Sequence, residues 1–486
     1  MSKKLFSWLS LALLTVLLSF TVRLNAVADT PKHYTELEFE PLPEIELPEY
    51  ERYELDNGMV VYLLEDRDLP LIGGTAIVRT GSRYEPANKV GLAQLTGTVM
   101  RSGGTKNHPA AELNSILEQK AASVETGIDN TSGNASFNTL TEDLDTVFPL
   151  FTEVLRQPAF APEKFAIALK QQQGAIARRN DDPEEIASRE FSKAIYGETS
   201  PYARTVEYQT LDNISRQDAI DFYQTYVRPE NIILGIVGDF DADEMIERVQ
   251  DAFGDWEVDI ASPALKPPTV DREYAQGIFA VDRPQQTQSS IRMGHLGGQF
   301  DSPDYPTLSV LNGVLNGFGG RLFNEVRSRL GLAYSVYGSW SPSYDFDGLF
   351  IAGGQTQTDN TVPFIRAVTN EIEKLRTELI TDRELANAKE SILNSFVFNF
   401  QNPSQTLSRL MRYEYYDYPE DFIFEYQEQV QNTTREDILE VAQEYLQPEQ
   451  IATLVVGNIE AMNPPLTTLD REVNLVDVSI PNPAQS

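Results

Sequence analysis

The sequence of 486 residues contains no cysteine. Disulfide frameworks, thiolate zinc sites and thiol nucleophiles are therefore excluded. The three histidines, His33, His108 and His295, lie far apart, and the spacings HxH, HxxH, HExxH and HxxEH do not occur. Because catalytic zinc normally takes three ligands from one chain, a zinc site built on histidine is nearly excluded.

Basic side chains are also scarce. The chain has 39 Lys and Arg against 73 Asp and Glu, which gives a formal net charge of −34. Nucleic-acid-binding proteins need basic patches, so this charge argues against a nucleic-acid partner. With 41% hydrophobic residues the chain has enough apolar side chains for real cores. Its length predicts two to three domains.

Only one hydrophobic run, from Leu5 to Val22, approaches the length that spans a membrane. Lys3 and Lys4 precede it, and Ala26-Val27-Ala28 follows it as a small-residue cleavage site. This order is typical of a secretory signal peptide over residues 1–28, with an uncleaved membrane anchor as the alternative. Cleavage would give an exported protein, periplasmic or secreted, without stable membrane insertion.

Turn and proline signals divide the rest of the chain. The sequence Asp56-Asn57-Gly58 between two apolar runs predicts a hairpin, and the Pro-rich, aperiodic stretch 257–276 predicts an interdomain linker. The predicted segments are an extended lead at 29–47, an N-terminal domain at 48–256, the linker, a C-terminal domain at 277–462 and a tail at 463–486.

The two predicted domains are copies of one unit. Residues 211–240 and 430–459 align without gaps at an offset of 219, with 10 identities in 30 positions. Each segment has the pattern of a helix, a turn, a buried strand and a glycine. Strands and helices mix in both halves. The sequence therefore predicts an α+β protein in which two duplicated mixed α/β domains face a central cleft.

Three stretches resemble the insulinase/pitrilysin family of zinc peptidases. They read NGMVVYLLEDRDLPLIGGTAIVRTGSRYEPANKVGLAQL, RPENIILGIVGDF and RLFNEVRSRLGLAYSV. The resemblance spans roughly 48–460 and includes the duplication, and the short two-domain members are similar to subunits of mitochondrial processing peptidase. It implies a metallohydrolase-like fold and, in active members, an inverted HxxEH zinc motif on the first long helix.

The zinc motif of this family is degenerate in the chain. At the matching positions Gln94 replaces the first His, Gly97 the Glu that acts as base, and Thr98 the second His. Active relatives take the third ligand from a Glu some 75–80 residues further on, and here the stretch 165–180 contains no acidic residue. The resemblance therefore implies that this chain binds no catalytic metal and holds no cofactor.

A second element of the family is retained. Active relatives use an Arg and a Tyr, seven residues apart, to hold the substrate backbone and stabilise the oxyanion, and Arg327 and Tyr334 match that spacing. The pattern predicts a helix over 321–330, ended by Gly331 and followed by a strand. A solvated Arg with a core Tyr is the alternative, and Arg329 is a rival for Arg327. The preceding glycines, Gly317, Gly319 and Gly320, resemble the family's substrate-chamber loop.

Taken together, the resemblance implies a non-catalytic, Arg/Tyr-supplying subunit of an exported heterodimeric zinc peptidase. A homologous HxxEH-bearing partner would hold the zinc, and the substrate would be an unfolded peptide. Two alternatives stay open at this point: a purely structural subunit without a role in proteolysis, and a zinc-free, homodimeric peptide-binding protein.

Overall fold

We describe the chain from a computed structural model that covers residues 47–271, 276–317 and 319–481. The predicted signal peptide at 1–28, the lead as far as residue 46 and His33 lie outside the described residues. Within them, residues 257–271 of the predicted linker contain neither helix nor strand.

The first half of the chain builds a six-stranded sheet in the order β1-β2-β6-β3-β5-β4. The predicted hairpin joins β1 to β2, and Gly58 takes the positive φ of +84° that its turn requires. Neighbouring strands are antiparallel except β2 and β6. The strands are β1 (Glu51–Glu54), β2 (Val60–Glu65), β3 (Leu71–Val78), β4 (Ser123–Ile128), β5 (Gly133–Leu140) and β6 (Ile232–Gly238).

The second half repeats this arrangement. Its sheet has the order β12-β7-β11-β8-β10-β9, and β7 and β11 are parallel as β2 and β6 are. The structure thus confirms the predicted class of two duplicated α/β domains. One edge differs, because β12 lies in the segment 463–486 and runs parallel to β7. The strands are β7 (Gly277–Asp282), β8 (Gln288–Leu296), β9 (Ala333–Ser341), β10 (Leu349–Gln357), β11 (Ala452–Gly457) and β12 (Val473–Leu475).

Helices cover both sheets. Those of the first half are α1 (Leu92–Ser102), α2 (Ala110–Gln119), α3 (Leu144–Arg156), α4 (Pro162–Arg178), α5 (Pro183–Tyr196), α6 (Tyr208–Asp212), α7 (Arg216–Tyr226) and α8 (Ala242–Phe253). Those of the second half are α9 (Tyr305–Leu315), α10 (Thr361–Thr377), α11 (Asp382–Phe396), α12 (Pro403–Tyr416), α13 (Phe422–Asn432) and α14 (Arg435–Tyr445), with a π-helix at Phe323–Arg329. The helices α7 and α14 stand at the offset of 219 found in the sequence.

Each half lends one helix to the sheet of the other. Helix α5 packs on β8 and β11 of the second sheet, and α12 packs on β2, β3 and β6 of the first. The two helices begin at Pro183 and Pro403, each after a side chain that caps the helix N-terminus. The buried side chains of α5 include Ile186 and Phe191, and each such burial contributes about 1.5–3 kcal/mol. Neither core is complete without the other half.

The loop between β9 and β10 fastens the two halves together. Asp345 of this loop accepts a hydrogen bond from Arg83 at 2.8 Å, and the side chain of Arg83 is only 3% exposed. The next residue, Phe346, stacks on Tyr202 with ring centroids 4.1 Å apart. Because the guanidinium is buried, loss of its carboxylate partner would leave an uncompensated charge between the halves.

Candidate functional site

The degenerate zinc motif lies on α1. Gln94 and Thr98 are exposed, four residues apart, and so lie on the same helix face. This is the geometry in which two histidines hold zinc, but a neutral amide and a hydroxyl are poor ligands for that ion. The residues present therefore do not fit a catalytic metal, although the helix face itself is preserved.

The third motif position, Gly97, faces the protein interior. A Cβ atom at Gly97 would lie 2.5 Å from the backbone nitrogen of Ile128 and 2.7 Å from the carbonyl carbon of Gly127. Thr126 of the same strand donates a hydrogen bond of 2.6 Å to the Gly97 carbonyl. The helix thus approaches β4 so closely that only glycine fits, and a glutamate base has no space here without movement of β4.

Helix α4, where active relatives carry the third ligand, packs beside α1. Gln172 lies on it, in the predicted interval after Gln94, and its side-chain oxygen is buried without a hydrogen-bond partner among the described residues. In the part of the chain that the structure describes, no group of three or more His, Asp or Glu side chains is placed to hold a metal ion.

Sequence reasoning missed the residue that fixes the start of α1. The carboxylate of Glu85 is buried and accepts hydrogen bonds from the backbone nitrogens of Gly91, at 3.0 Å, and Ala93, at 2.8 Å. Burial raises the pKa of Glu85, and these two hydrogen bonds oppose that rise. A buried acid before a helix N-terminus is a capping arrangement, so Glu85 orients α1 and takes no part in a metal site.

Arg327 and Tyr334 are brought together in the second half. Arg327 lies in the π-helix and Tyr334 in β9, and the guanidinium carbon stands 5.2 Å from the centre of the tyrosine ring. The same guanidinium carbon lies 4.8 Å from the ring centre of Phe323. Cation–π attraction to the two rings holds the guanidinium in place. The tyrosine is 80% exposed, so it is not the core residue of the alternative interpretation.

The helix over 321–330 is a π-helix in part, which the sequence pattern did not predict. Its last turn closes with a hydrogen bond from the Leu330 nitrogen to the Glu325 carbonyl, five residues back. Gly331 then takes a φ of +64°, as predicted for the residue that ends the helix. The wider turn is a known feature of functional sites.

Arg327 and its rival Arg329 differ in their partners. Arg329 forms an ion pair with Glu325, and this pairing lowers the pKa of Glu325. Arg327 has no carboxylate partner among the described residues. A guanidinium without a carboxylate keeps its N–H donors for another acceptor, which favours Arg327 as the residue that meets a ligand.

The glycine-rich loop precedes the π-helix and is tied to β9. Gly317 has a φ of +78°, and Asn316 exchanges two hydrogen bonds with the backbone of Gly338. A Cβ at Gly320 would stand 2.1 Å from the Asn316 carbonyl oxygen, whereas one at Gly319 would meet no backbone. The local conformation thus requires glycine at Gly317 and at Gly320, but not at Gly319. Phe318 lies outside the described residues.

An ion pair anchors the chain that leaves this loop. Arg321 donates a hydrogen bond of 2.6 Å to Glu384 at the start of α11. Burial opposes ionisation of Glu384, but bonds from Arg321 and from Thr381 outweigh it and lower its pKa to about 2. This pair, like Asn316, holds the loop and the π-helix in one position.

Comparison with known proteins identifies the family. The profile described as Insulinase (Peptidase family M16) matches residues 75–208, and the profile described as Peptidase M16 inactive domain matches residues 213–392. The chain belongs to peptidase family M16. The words "inactive domain" apply to the second half, so for this M16 chain the case against catalysis depends on Gln94, Gly97 and Thr98 in the first.

Some curated relatives of this M16 chain are named as zinc proteases, and one is named as a non-peptidase homolog. The chain is 24% identical over 363 residues to "Uncharacterized zinc protease YmxG" of Bacillus subtilis, and the aligned region covers 74% of this chain and 86% of that protein. It is 22% identical over 416 residues to "Non-peptidase homolog YmxG" of Helicobacter pylori, which covers 83% and 93%. These names describe the two relatives and are not transferred to this chain.

Two solved structures share the fold of this M16 chain. A crystal structure of a peptidase M16 inactive domain from Pseudomonas fluorescens has a TM-score of 0.75 and 23% identity, with 84% of this chain and 98% of that one covered. A protease from Helicobacter pylori has a TM-score of 0.73 and 21% identity, with 84% and 100% covered. Among the described residues of this chain, no helix combines the length and apolar character needed to cross a bilayer.

Proposed function

We propose that this chain is the non-catalytic subunit of an exported, heterodimeric M16 peptidase. Its homologous partner carries the HxxEH motif and the zinc, and its substrate is an unfolded peptide. The observation that supports this proposal best is the contact between Arg327 and Tyr334, whose side-chain donors have no hydrogen-bond acceptor among the described residues and of which Tyr334 is 80% exposed.

The chemistry of these two side chains suits acyl transfer. A guanidinium and a phenol are fixed hydrogen-bond donors, and donors of this kind stabilise a carbonyl oxygen as it gains negative charge. Ring stacking on Phe323 limits the motion of Arg327, so little reorganisation is needed when that charge develops. Because the face of α1 that matches the zinc motif carries no metal ligands, a second chain has to supply the zinc.

The names of the relatives agree with a division of labour. M16 proteins of similar length carry the words zinc protease in some organisms and non-peptidase homolog in another. A chain that lacks the ligands and retains the Arg/Tyr pair is the expected complement of a chain that has the ligands. A purely structural subunit would have no reason to retain the pair in contact.

Association and hydrolysis together test the proposal. The mature chain is purified from native extract, and the eluate is examined by mass spectrometry for an HxxEH-bearing M16 chain. We expect that chain to co-elute, and we expect chelator-sensitive cleavage of an unfolded peptide by the pair and none by either chain alone. Cleavage by this chain alone, or a homodimer that binds peptide without any M16 partner, would contradict the proposal.

Export has its own measurement. The intact mass of the protein recovered from its native compartment reports the N-terminus directly. We expect removal of residues 1–28, with the mature chain beginning at Asp29. A chain that retains Leu5 to Val22 and sediments with membranes would instead support the anchor.

A further inference from the structure

The second half contains a pocket at a place that the first half fills. In the first half, α8 packs on β2 and α3, and its Phe253 is fully buried in the core. In the second half, a short 3₁₀ turn at Leu466–Leu469 lies against α10, the counterpart of α3. A pocket of about 510 Å³ lies there, between the turn, α10 and the strands β7 and β11.

One wall of this pocket carries a buried hydroxyl without a partner. Thr453 of β11 is 0% exposed, and its side-chain oxygen has no hydrogen-bond partner among the described residues. At the offset of 219 its counterpart is Leu234, an equally buried residue of the first core. A buried hydroxyl without a partner is destabilising, and in this pocket the Thr453 hydroxyl is a candidate donor to a ligand.

The same pocket is lined by two arginines that no carboxylate neutralises. The side chain of Arg471 is half-buried and bonds to the Ile451 carbonyl, and burial lowers the pKa of Arg471. The exposed Arg366 bonds to the Thr468 carbonyl. Neither forms an ion pair with a described carboxylate. Both guanidiniums therefore keep N–H donors for a ligand in the pocket.

Three acidic residues also line the pocket, and in the described part of the chain none of them forms an ion pair with Arg366 or Arg471. Glu373 bonds to Arg376, outside the pocket, and Glu449 and Asp470 are exposed to solvent. The half-buried, unpaired charge in the wall is therefore the guanidinium of Arg471. Its planar fork of donors matches the two oxygens of a carboxylate.

We propose that this pocket binds a carboxylate carried on an apolar body. Arg471 would pair with the carboxylate, and the Thr453 hydroxyl would donate to it. The apolar body would contact Ile278, Ile365 and Leu469, which line the same pocket. These apolar walls and a single half-buried guanidinium favour a singly charged, partly apolar group over inorganic phosphate. The shared chemistry is that of a peptide C-terminus and of a free short-chain organic acid.

Titration calorimetry on the full mature chain tests the proposal with four probes. They are N-acetyl-L-leucine, its amide, hexanoate and inorganic phosphate. We expect a carboxylate probe to bind, while the amide and phosphate do not. Binding of N-acetyl-L-leucine alone identifies a peptide end, and binding of hexanoate alone identifies a free acid. Failure of both carboxylates, or binding of phosphate alone, overturns the proposal.

Three variants locate the binding. We expect R471M to weaken the carboxylate probe about 10–100-fold, because a charge-assisted hydrogen bond is lost. The isosteric T453V leaves the fold intact and should weaken it by a smaller factor, while R248M, on α8 of the first half, serves as the control and should bind as the wild type does. Equal affinity in wild type, R471M and T453V would place the ligand elsewhere and overturn the assignment. The readout needs no peptidase activity, so it is independent of the proposed function.

Discussion

In the first half, α1 presents an amide and a hydroxyl, Gln94 and Thr98, on the face where active M16 members carry histidines. In the second half, the π-helix and β9 hold Arg327 against Tyr334. Each pair belongs to a half that contains a six-stranded sheet, and the two sheets share their strand order apart from one edge strand. Exposed positions contribute little to the core, so the chemistry of one copy changes while the fold persists. Gly97 is the exception, because it is packed.

The contact between the halves provides the largest expected effect on stability. We predict that Asp345→Asn lowers the free energy of unfolding by roughly 3–5 kcal/mol, because it leaves the buried guanidinium of Arg83 without a countercharge. Urea unfolding at neutral pH measures the change. Asp382→Asn is the matched control, since Asp382 is 89% exposed and pairs with Arg435 at the surface. Equal stability of the two variants would show that the Arg83 pair does not fasten the halves.

The next largest change in stability is expected at Gly97, the packed position on α1 of the first half. Gly97→Glu should destabilise the protein by about 3 kcal/mol, because the new side chain collides with the backbone of β4 and buries a carboxylate. Thr98→Glu, one residue further along the same helix, is exposed and should change stability little. If Gly97→Glu unfolds at the same urea concentration as Thr98→Glu, the close approach of α1 to β4 is wrong.

Sequence reasoning predicted the parts of this comparison that are local or repeated. The hairpin at Asp56–Gly58, the strand β6 and the second copy at an offset of 219 follow from turn chemistry, apolar runs and identity. It also placed Arg327 and Tyr334 at a helix end and a strand start. These features depend on residues close together in the chain or on a repeat of the sequence, so sequence patterns are enough to predict them.

It did not predict where the elements pack. The apolar face of α5 shows that the helix is covered, but not that the sheet of the other half covers it. Nothing in the sequence separates Gly97 from a glycine that is merely tolerated, because the close approach to Ile128 is a tertiary contact. The unpartnered hydroxyl of Thr453 is likewise visible only when its surroundings are known.

The loop of the second half should respond to acid. Glu384→Gln removes the ion pair with Arg321, and we expect a loss of roughly 1–2 kcal/mol at pH 7, because the pair is only partly buried. The folded pKa of Glu384, about 2, lies below its ordinary value of 4.5, so this stability is present above pH 4.5 and is lost as the pH falls towards 2. Unfolding curves of both proteins should therefore converge over that interval. A constant difference would contradict the assignment.

The smallest predicted change in stability concerns Thr453, a buried polar residue in the second core where the first core has an apolar one. Thr453→Val, which brings the second core closer to the first with its Leu234, should stabilise the protein by about 1 kcal/mol, because a buried unpaired hydroxyl is removed. Thr356→Val is the control, since the Thr356 hydroxyl donates to the Leu332 carbonyl at 2.5 Å, and its loss should destabilise by a similar amount. Thermal unfolding without added carboxylates distinguishes the signs. Destabilisation by both would mean that Thr453 has a partner.

The turnover number of the assembled pair tests the central claim most directly, in wild type, Arg327→Met and Arg329→Met. All three must first show unchanged folding and association with the HxxEH-bearing partner. We predict that kcat falls about 10²–10³-fold in Arg327→Met, the usual consequence of losing one oxyanion donor, and stays near wild type in Arg329→Met, whose charge is held by Glu325. Wild-type turnover in the Arg327 variant would contradict the account and leave a structural subunit in its place.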